Sequence, residues 1–175
     1  MTNDRKVLMI YYAETKDSKT SDIYVSFQKG EYNYSTPVKI GLNTPADEFG
    51  PFICSDGETM YFSSDRKGGL GQADIYVTTR TDDSWLNWST PKNIEKPVNT
   101  NRFDAYFSMD DEMVYAYTTW AYMTPDGGSL DIIGIIPRYK TAIEGKILDA
   151  ETGDPIKTDF EIHMPRTGYL MVSSD

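Results

Sequence analysis

Carboxylates recur along this chain in a way that invites a chemical reading. Asp22, Asp74 and Asp131 each stand directly before an apolar pair: Ile23-Tyr24, Ile75-Tyr76 and Ile132-Ile133. A glycosidase needs two acids about 5–10 Å apart, one to protonate the leaving group and one to attack or to activate water. The competing reading is structural. A carboxylate at the start of a strand can accept the backbone N–H groups that the preceding loop leaves over, and buried donors must find an acceptor. Repetition favours the second reading, because an active site needs unique residues whereas a repeat reuses its supports. Asp22, Asp74 and Asp131 are therefore read as structural loop anchors.

Other chemistry-bearing residues give less. His163 is the sole histidine, which excludes multi-histidine metal sites and any Ser-His-Asp arrangement that does not use it. No Gly-x-Ser-x-Gly elbow is present. Ser63 to Gly71 is glycine-rich but lacks Gly-Lys-Ser/Thr and a following helix, so it is a hairpin loop and no phosphate cradle. Asp149, Glu151 and Asp154 are spaced unlike an EF-hand loop and read as a turn. No catalytic residue, metal ligand or cofactor is assigned. Four residues remain as ligand-contact candidates. Trp120 and Tyr122 fall where earlier repeats carry polar loop residues and offer stacking surface. Asp65 and Arg66 belong to a polar set with Asn43, Thr44, Asp47, Glu48, Ser64, Asn99, Thr100 and Asp104. That set is either a ligand platform or the internal bracing of the loops, with Arg66 forked onto a neighbouring carboxylate. Trp88 sits at a repeat position and reads as packing.

The elements that must position these groups are short strands. Phe49 to Cys54, Thr59 to Ser63, Asp74 to Thr79 and Trp88 to Ile94 are rich in β-formers. Asp56-Gly57 supplies a tight turn between the first two, and Pro91 marks the fourth as an edge. Asp22-Ile23-Tyr24-Val25 returns 52 residues on as Asp74-Ile75-Tyr76-Val77, and Ser35-Thr36-Pro37 returns as Ser89-Thr90-Pro91. Asn43-Thr44 returns as Asn99-Thr100, and Met60 to Ser63 aligns with Val114 to Tyr117. Several anchors in one order at one period point to propeller blades of four antiparallel strands each. Val7 to Ala13, Asp22 to Gln28 and Tyr34 to Ile40 form an earlier blade. Phe103 to Ser108, Met113 to Thr118, a loop to Gly128, and Leu130 to Ile136 form a later one. The fold class expected is all-β: a partial β-propeller of about three four-stranded blades, the first and last incomplete, over residues 1–138. Open blades leave unpaired edges, so the chain is expected to be an excerpt with further blades upstream; the alternative is closure by oligomerisation or an unusual open arc. Residues 139–175 differ. Ile143 to Leu148 and Thr158 to His163 read as the opening strands of a β-sandwich.

The pattern Asp56-Gly57, Tyr61 to Arg66, Gly69, Gly71, Asp74-Ile75-Tyr76, Trp88-Ser89, Pro91 and Asn99-Thr100 resembles the TolB-type, WD40-like propeller repeats of bacterial envelope proteins. The version nearest in form occurs in Bacteroidetes. Gly145, Asp149, Ala150, Thr152, Gly153, Pro155 and Ile156 are similar to the start of a carboxypeptidase-regulatory-like domain, here truncated. The resemblance implies a periplasmic or outer-membrane-associated protein of the OmpA family. In that family a domain beyond this chain holds peptidoglycan, and some members accompany type IX secretion or gliding. The implied role is a non-catalytic scaffold whose partners are other envelope proteins. Two alternatives belong to other classes: the propeller of a prolyl-oligopeptidase-type peptidase or glycoside hydrolase, and a glycan-binding module built on Trp120 and Tyr122.

Bulk properties narrow the partners. The net charge is −10 and the isoelectric point about 4.5, so a phosphate backbone is repelled and no nucleic-acid partner is expected. Mean hydropathy is −0.52, and no apolar run approaches the roughly 20 residues of a membrane span. Residues 1–14 lack the apolar core of a signal peptide. Cys54 is the only cysteine, so no intrachain disulfide forms and the thiol is expected as a small buried hydrophobe.

Overall fold

A computed structural model describes residues 1–112, 114–124, 127–135, 148–156, 160–164 and 168–172. Among these every regular element is a strand and no helix occurs. The chain divides into two compact units, Met1–Pro137 and Arg138–Asp175. The first unit holds three antiparallel sheets, none closed on itself.

The first sheet is built from β1 (Val7–Tyr12), β2 (Asp22–Gly30), β3 (Asn33–Tyr34) and β4 (Val38–Lys39), with β2 central. The second runs in sequence order through β5 (Glu48–Ile53), β6 (Thr59–Ser64), β7 (Asp74–Thr79) and β8 (Lys92–Asn93). The third is ordered β11-β10-β9, from β9 (Asp104–Met109), β10 (Ala116–Thr124) and β11 (Gly127–Ile135). Alternation explains the stacking of the sheets. Successive side chains point to opposite faces. Met60 and Phe62 of β6 face the first sheet and join Val7, Met9, Ile23 and Val25 in one core. Tyr61 and Ile75 face the third sheet and pack with Phe107 and Ala116. Phe62, Met60, Ile23 and Ile75 are fully buried. Truncation of such a ring to alanine costs about 3–5 kcal/mol.

Several expected boundaries shift. The outer strands are only two residues long at β4 and β8, because Pro37 and Pro91 cannot donate and interrupt the pairing that Tyr34 and Trp88 make before them. The third hairpin is longer than expected. β10 and β11 pair continuously from Ala116↔Ile135 to Thr124↔Gly127. Trp120 and Tyr122 therefore lie within a strand and not in a loop. The repeat alignment moves as well. Glu48 pairs with Ser64 and Asp104 with Trp120, so Met60 corresponds to Ala116 and not to Val114. The two hairpin turns are equal in length, closing at Ile53↔Met60 and Met109↔Ala116, and in the second Asp110 Oδ1 caps the N–H groups of Val114 and Tyr115 at 2.7 and 3.0 Å.

β5 and β9 share a bulge at corresponding positions. Gly50 adopts φ +59° and Tyr106 φ +57°. The Tyr106 N–H donates to Ser63 Oγ at 3.1 Å, and its ring lies so close over Gly50 that a side chain there would meet it at 3.1 Å.

The second unit contains β12 (Phe160–Met164) paired with β13 (Gly168–Val172). Leu148 bridges Pro155. Asp149 Oδ1 accepts the N–H groups of Glu151 and Thr152 at 2.8 Å each, making the Asp149–Asp154 segment a turn. The strand expected over Ile143 to Leu148 lies outside the described residues except at Leu148. The one expected over Thr158 to His163 appears as β12, two residues later at its start. Ile136, Thr158 and the side chain of His163 lie outside the described residues.

Candidate functional site

The polar set singled out in the sequence gathers where β5 and β9 begin, and its members bond chiefly to one another. Asn43 closes onto β2: its Oδ1 accepts the Ile23 N–H at 2.8 Å and its Nδ2 donates to the Ile23 carbonyl at 2.7 Å. Asn99 repeats this on Ile75 of β7 at 2.9 and 2.8 Å. Each amide side chain thus pairs with a strand residue as another backbone would. The following threonine serves the first strand of the next sheet, β5 or β9. Thr44 donates its N–H and hydroxyl to the Glu48 carboxylate, and Thr100 does the same to Asp104. Both threonine hydroxyls then accept a backbone N–H two residues on, from Ala46 and Arg102, at 3.1 Å.

Glu48 is wholly buried and still ionically paired. Arg66 Nη2 sits 3.1 Å from its Oε1, and the Ser64 hydroxyl donates to the same oxygen at 3.1 Å. The Arg66 guanidinium also lies over the rings of Phe62 and Tyr76, 4.9 and 5.0 Å from their centroids. Its side chain is 14% exposed. Asp65 is exposed, but its Oδ1 accepts the Asp47 N–H at 2.7 Å, and Asp47 Oδ1 in turn accepts that of Ser21. Asp65 and Arg66 thus brace the junction between the first two sheets, with little of Arg66 left for a ligand.

The three repeated aspartates have three different settings. Asp74 is buried at 1% exposure, and its Oδ2 accepts the N–H groups of Leu70 and Gly71. The loop comes so close that a methyl on Gly69 would collide with that carboxylate, and one on Gly71 with the Arg102 carbonyl. Asp22 does not anchor its loop. It forms an ion pair with Lys39 at 2.6 Å, while Asp47 takes the loop donor at Ser21. Asn93 stands across from Tyr76 as Lys39 does from Tyr24, so the second sheet lacks that cation. Asp131 departs furthest. It is exposed in mid-strand opposite Trp120, because β11 begins four residues before it and no loop closes there.

Trp120 is half-buried and donates its indole N–H to the Val98 carbonyl at 3.3 Å. Tyr122 lies two residues further along β10, its side chain outside the described residues. Trp88 packs against the first core, its indole N–H on the Trp85 carbonyl at 3.0 Å. Among the described residues no group of three or more His, Cys, Asp or Glu is placed to hold a metal ion. Nor is any helix there long and apolar enough to cross a membrane.

Burial raises the Asp104 carboxyl above its ordinary value, with neighbouring Asp74 adding to this and Thr100 opposing it. Burial also pushes the Cys54 thiol up to about 11, far from the thiolate that nucleophilic chemistry needs.

One feature was not singled out in the sequence. A cleft of about 370 Å³ opens between the Asn101–Phe103 segment and the start of β11, lined by Arg102, Phe103, Ala121, Ser129 and Leu130 among others. Next to it, Tyr117, Leu130 and Ile132 are exposed, the last at 77%. The only sequence signal is an apolar residue on the outward face of an alternating strand. No family model matches the chain, and no curated protein matches it.

Proposed function

We propose that residues 1–138 are a run of propeller-type blades of the TolB, WD40-like kind, followed by the opening of a carboxypeptidase-regulatory-like β-sandwich. On this reading the chain is a non-catalytic scaffold and protein-interaction module of an OmpA-family, peptidoglycan-associated envelope protein, accessory to type IX secretion or gliding. Its partners are other envelope proteins, and peptidoglycan is held by a domain outside this chain.

One observation carries the non-catalytic part. The polar residues that recur from sheet to sheet are consumed by the sheets themselves: Asn43 and Asn99 on strand backbone, Thr44 and Thr100 on carboxylates, Arg66 on Glu48. Groups so engaged are supports, and chemistry needs groups free to change partners. The four-stranded order of the second sheet and the stacking of three sheets by one repeated set of faces support the propeller reading. The envelope assignment rests on the sequence resemblance alone.

The test is made on the full-length product in its native cells. Fractionation should place it in the periplasm or outer membrane, and cross-linking there should recover envelope proteins. A cytoplasmic product, or turnover of chromogenic peptides or glycosides by the purified protein, would overturn the proposal.

A further inference from the structure

The second repeat departs from the first in two neighbouring segments, and both departures border one groove. The loops closed by Tyr12↔Asp22 and Ser64↔Asp74 are equal in length, which sets Leu70 where the first repeat has Ser18. Leu70 is 44% exposed, yet its backbone is pinned. Asp74 Oδ2 accepts the Leu70 and Gly71 N–H groups, and the Gln72 N–H donates to the Arg102 carbonyl at 2.8 Å. The link to the next sheet changes as well. The Ile40 N–H bonds to Ile23 and the Ile94 N–H to Ile75, both at 3.2 Å, and Asn43 and Asn99 close on the same partners. Gly41 and Leu42 fill that interval in the first repeat, and Glu95, Lys96, Pro97 and Val98 fill it in the second. Leu42 and Val98 each turn into a core, so Glu95, Lys96 and Pro97 stand in place of one glycine. The inserted turn is fixed. Asn93 Oδ1 accepts the Glu95 N–H at 2.7 Å, and the Asn99 N–H donates to the Glu95 carbonyl at 2.8 Å. Glu95 is held there at φ +57°, a conformation a non-glycine residue keeps only when its surroundings impose it.

Between these walls lies a cleft of about 460 Å³, lined by Leu70, Lys96, Pro97, Asn99, Thr100 and Asn101. It continues past Leu70 and Lys96 into a second of about 240 Å³, which reaches Asn93 and Glu95. The Asn99 and Thr100 side chains are engaged on Ile75 and Asp104. Leu70, Lys96 and Asn101 are exposed, and Lys96 forms no ion pair among the described residues. Both walls belong to the second repeat, which has the first and third sheets packed on its two faces.

We propose that this groove docks a short segment of another protein, in which an apolar side chain stands within two residues of an aspartate or glutamate. The apolar side chain covers Leu70 and Pro97. The carboxylate meets Lys96 and the Asn101 amide, at the end away from Glu95, where exposed Arg102 adds to the positive field. On a chain of net charge −10 the surrounding surface repels such a group, so the local cations set the orientation of the segment. The pinned loop and turn leave little ordering to be done on binding. Comparison of the repeats points the same way. Residues that recur are supports, whereas Leu70, Lys96 and Pro97 are what the first repeat lacks. This rests on the protein-interaction reading given above and names the kind of segment it takes.

The probe is a displayed library of short random peptides selected on the intact protein, the enriched peptides then being labelled and titrated by fluorescence anisotropy. Enriched sequences should pair an apolar residue with a nearby aspartate or glutamate, and their binding should weaken as salt is raised. Leu70→Ser, which installs the first repeat's residue, and Lys96→Glu should each weaken binding about tenfold or more. The thermal midpoint should not move, because both side chains are exposed. No enrichment, enrichment of basic peptides, salt-insensitive binding, or equal binding to the two variants overturns the proposal. None of these failures touches the protein-interaction reading, which fails on the location or activity of the full-length product.

Discussion

Replacing Arg66 with alanine separates bracing from ligand contact. In the folded chain Glu48 has no solvent exposure, and among the described residues Arg66 is the only cation on it, at 3.1 Å, with the Ser64 hydroxyl on the same oxygen. Removing one partner of a buried pair costs about 3–5 kcal/mol, because an uncompensated charge stays behind. Loss of the two ring contacts at 4.9 and 5.0 Å adds to this, at about 0.5–1 kcal/mol each. Arg66→Ala should therefore fall at the upper end of that range. At about 2–4 °C per kcal/mol for a chain of this size, the midpoint drops by roughly 10 °C or more. The double variant Arg66→Met with Glu48→Gln removes both charges and keeps an acceptor for Thr44. It should recover at least half of the loss. Urea unfolding followed by the fluorescence of Trp85, Trp88 and Trp120 reads all three proteins on one scale. An Arg66→Ala loss under about 1 kcal/mol, or a double variant no better than the single, would refute the bracing argument and return Arg66 to the list of contact residues.

Three further outcomes are expected. Asp74→Ala should cost about 1–3 kcal/mol by orphaning the Leu70 and Gly71 donors; equal stability by denaturant titration would contradict this. The Asp104 carboxyl is raised by burial, so the native state holds its proton more tightly than the unfolded chain and this residue's contribution to stability falls as pH rises from 3.8 through the raised value. Asp104→Asn should remove that slope, and unfolding curves at pH 4 and 7 that differ as in the parent would count against it. Cys54, 4% exposed with its thiol pushed up to about 11, should resist maleimide at pH 7.5 until urea is added; fast labelling of the native protein would show otherwise.

The period and the turns were legible in the sequence, since Asp56-Gly57, Pro37 and Pro91 act through local backbone geometry. What each repeated polar residue holds was not, because its partner lies far along the chain. Asn43 reaches back 20 residues to Ile23, and Asn99 24 residues to Ile75. A repeated Asn signals a support but not what it supports. Asp22 shows the limit of repeat logic: the same residue type anchors a loop in one sheet and pairs with a lysine in another, because Lys39 is present and its counterpart is Asn93. Trp120 was misplaced because Gly127 and Gly128 read as loop, whereas both belong to paired strand. The open face at Ile132 was invisible, since the same residue type is fully buried at Ile75.

The paired bulges at Gly50 and Tyr106 bear on how such a chain avoids misassembly. Neighbouring repeats that are interchangeable can dock out of order or swap between molecules, a hazard of repetitive proteins. Here the two bulges are equivalent in backbone and unlike in side chain. Tyrosine sits in a left-handed conformation it does not favour, and its ring covers Gly50 of the preceding repeat, which has no side chain to obstruct it. A tyrosine at both positions would put a side chain where the Tyr106 ring already lies, and a glycine at both would leave that space empty. The pair thus acts as an address label. It tells the second repeat which neighbour is its own, and the divergence between copies that blurs the sequence period is part of what keeps the repeats in order.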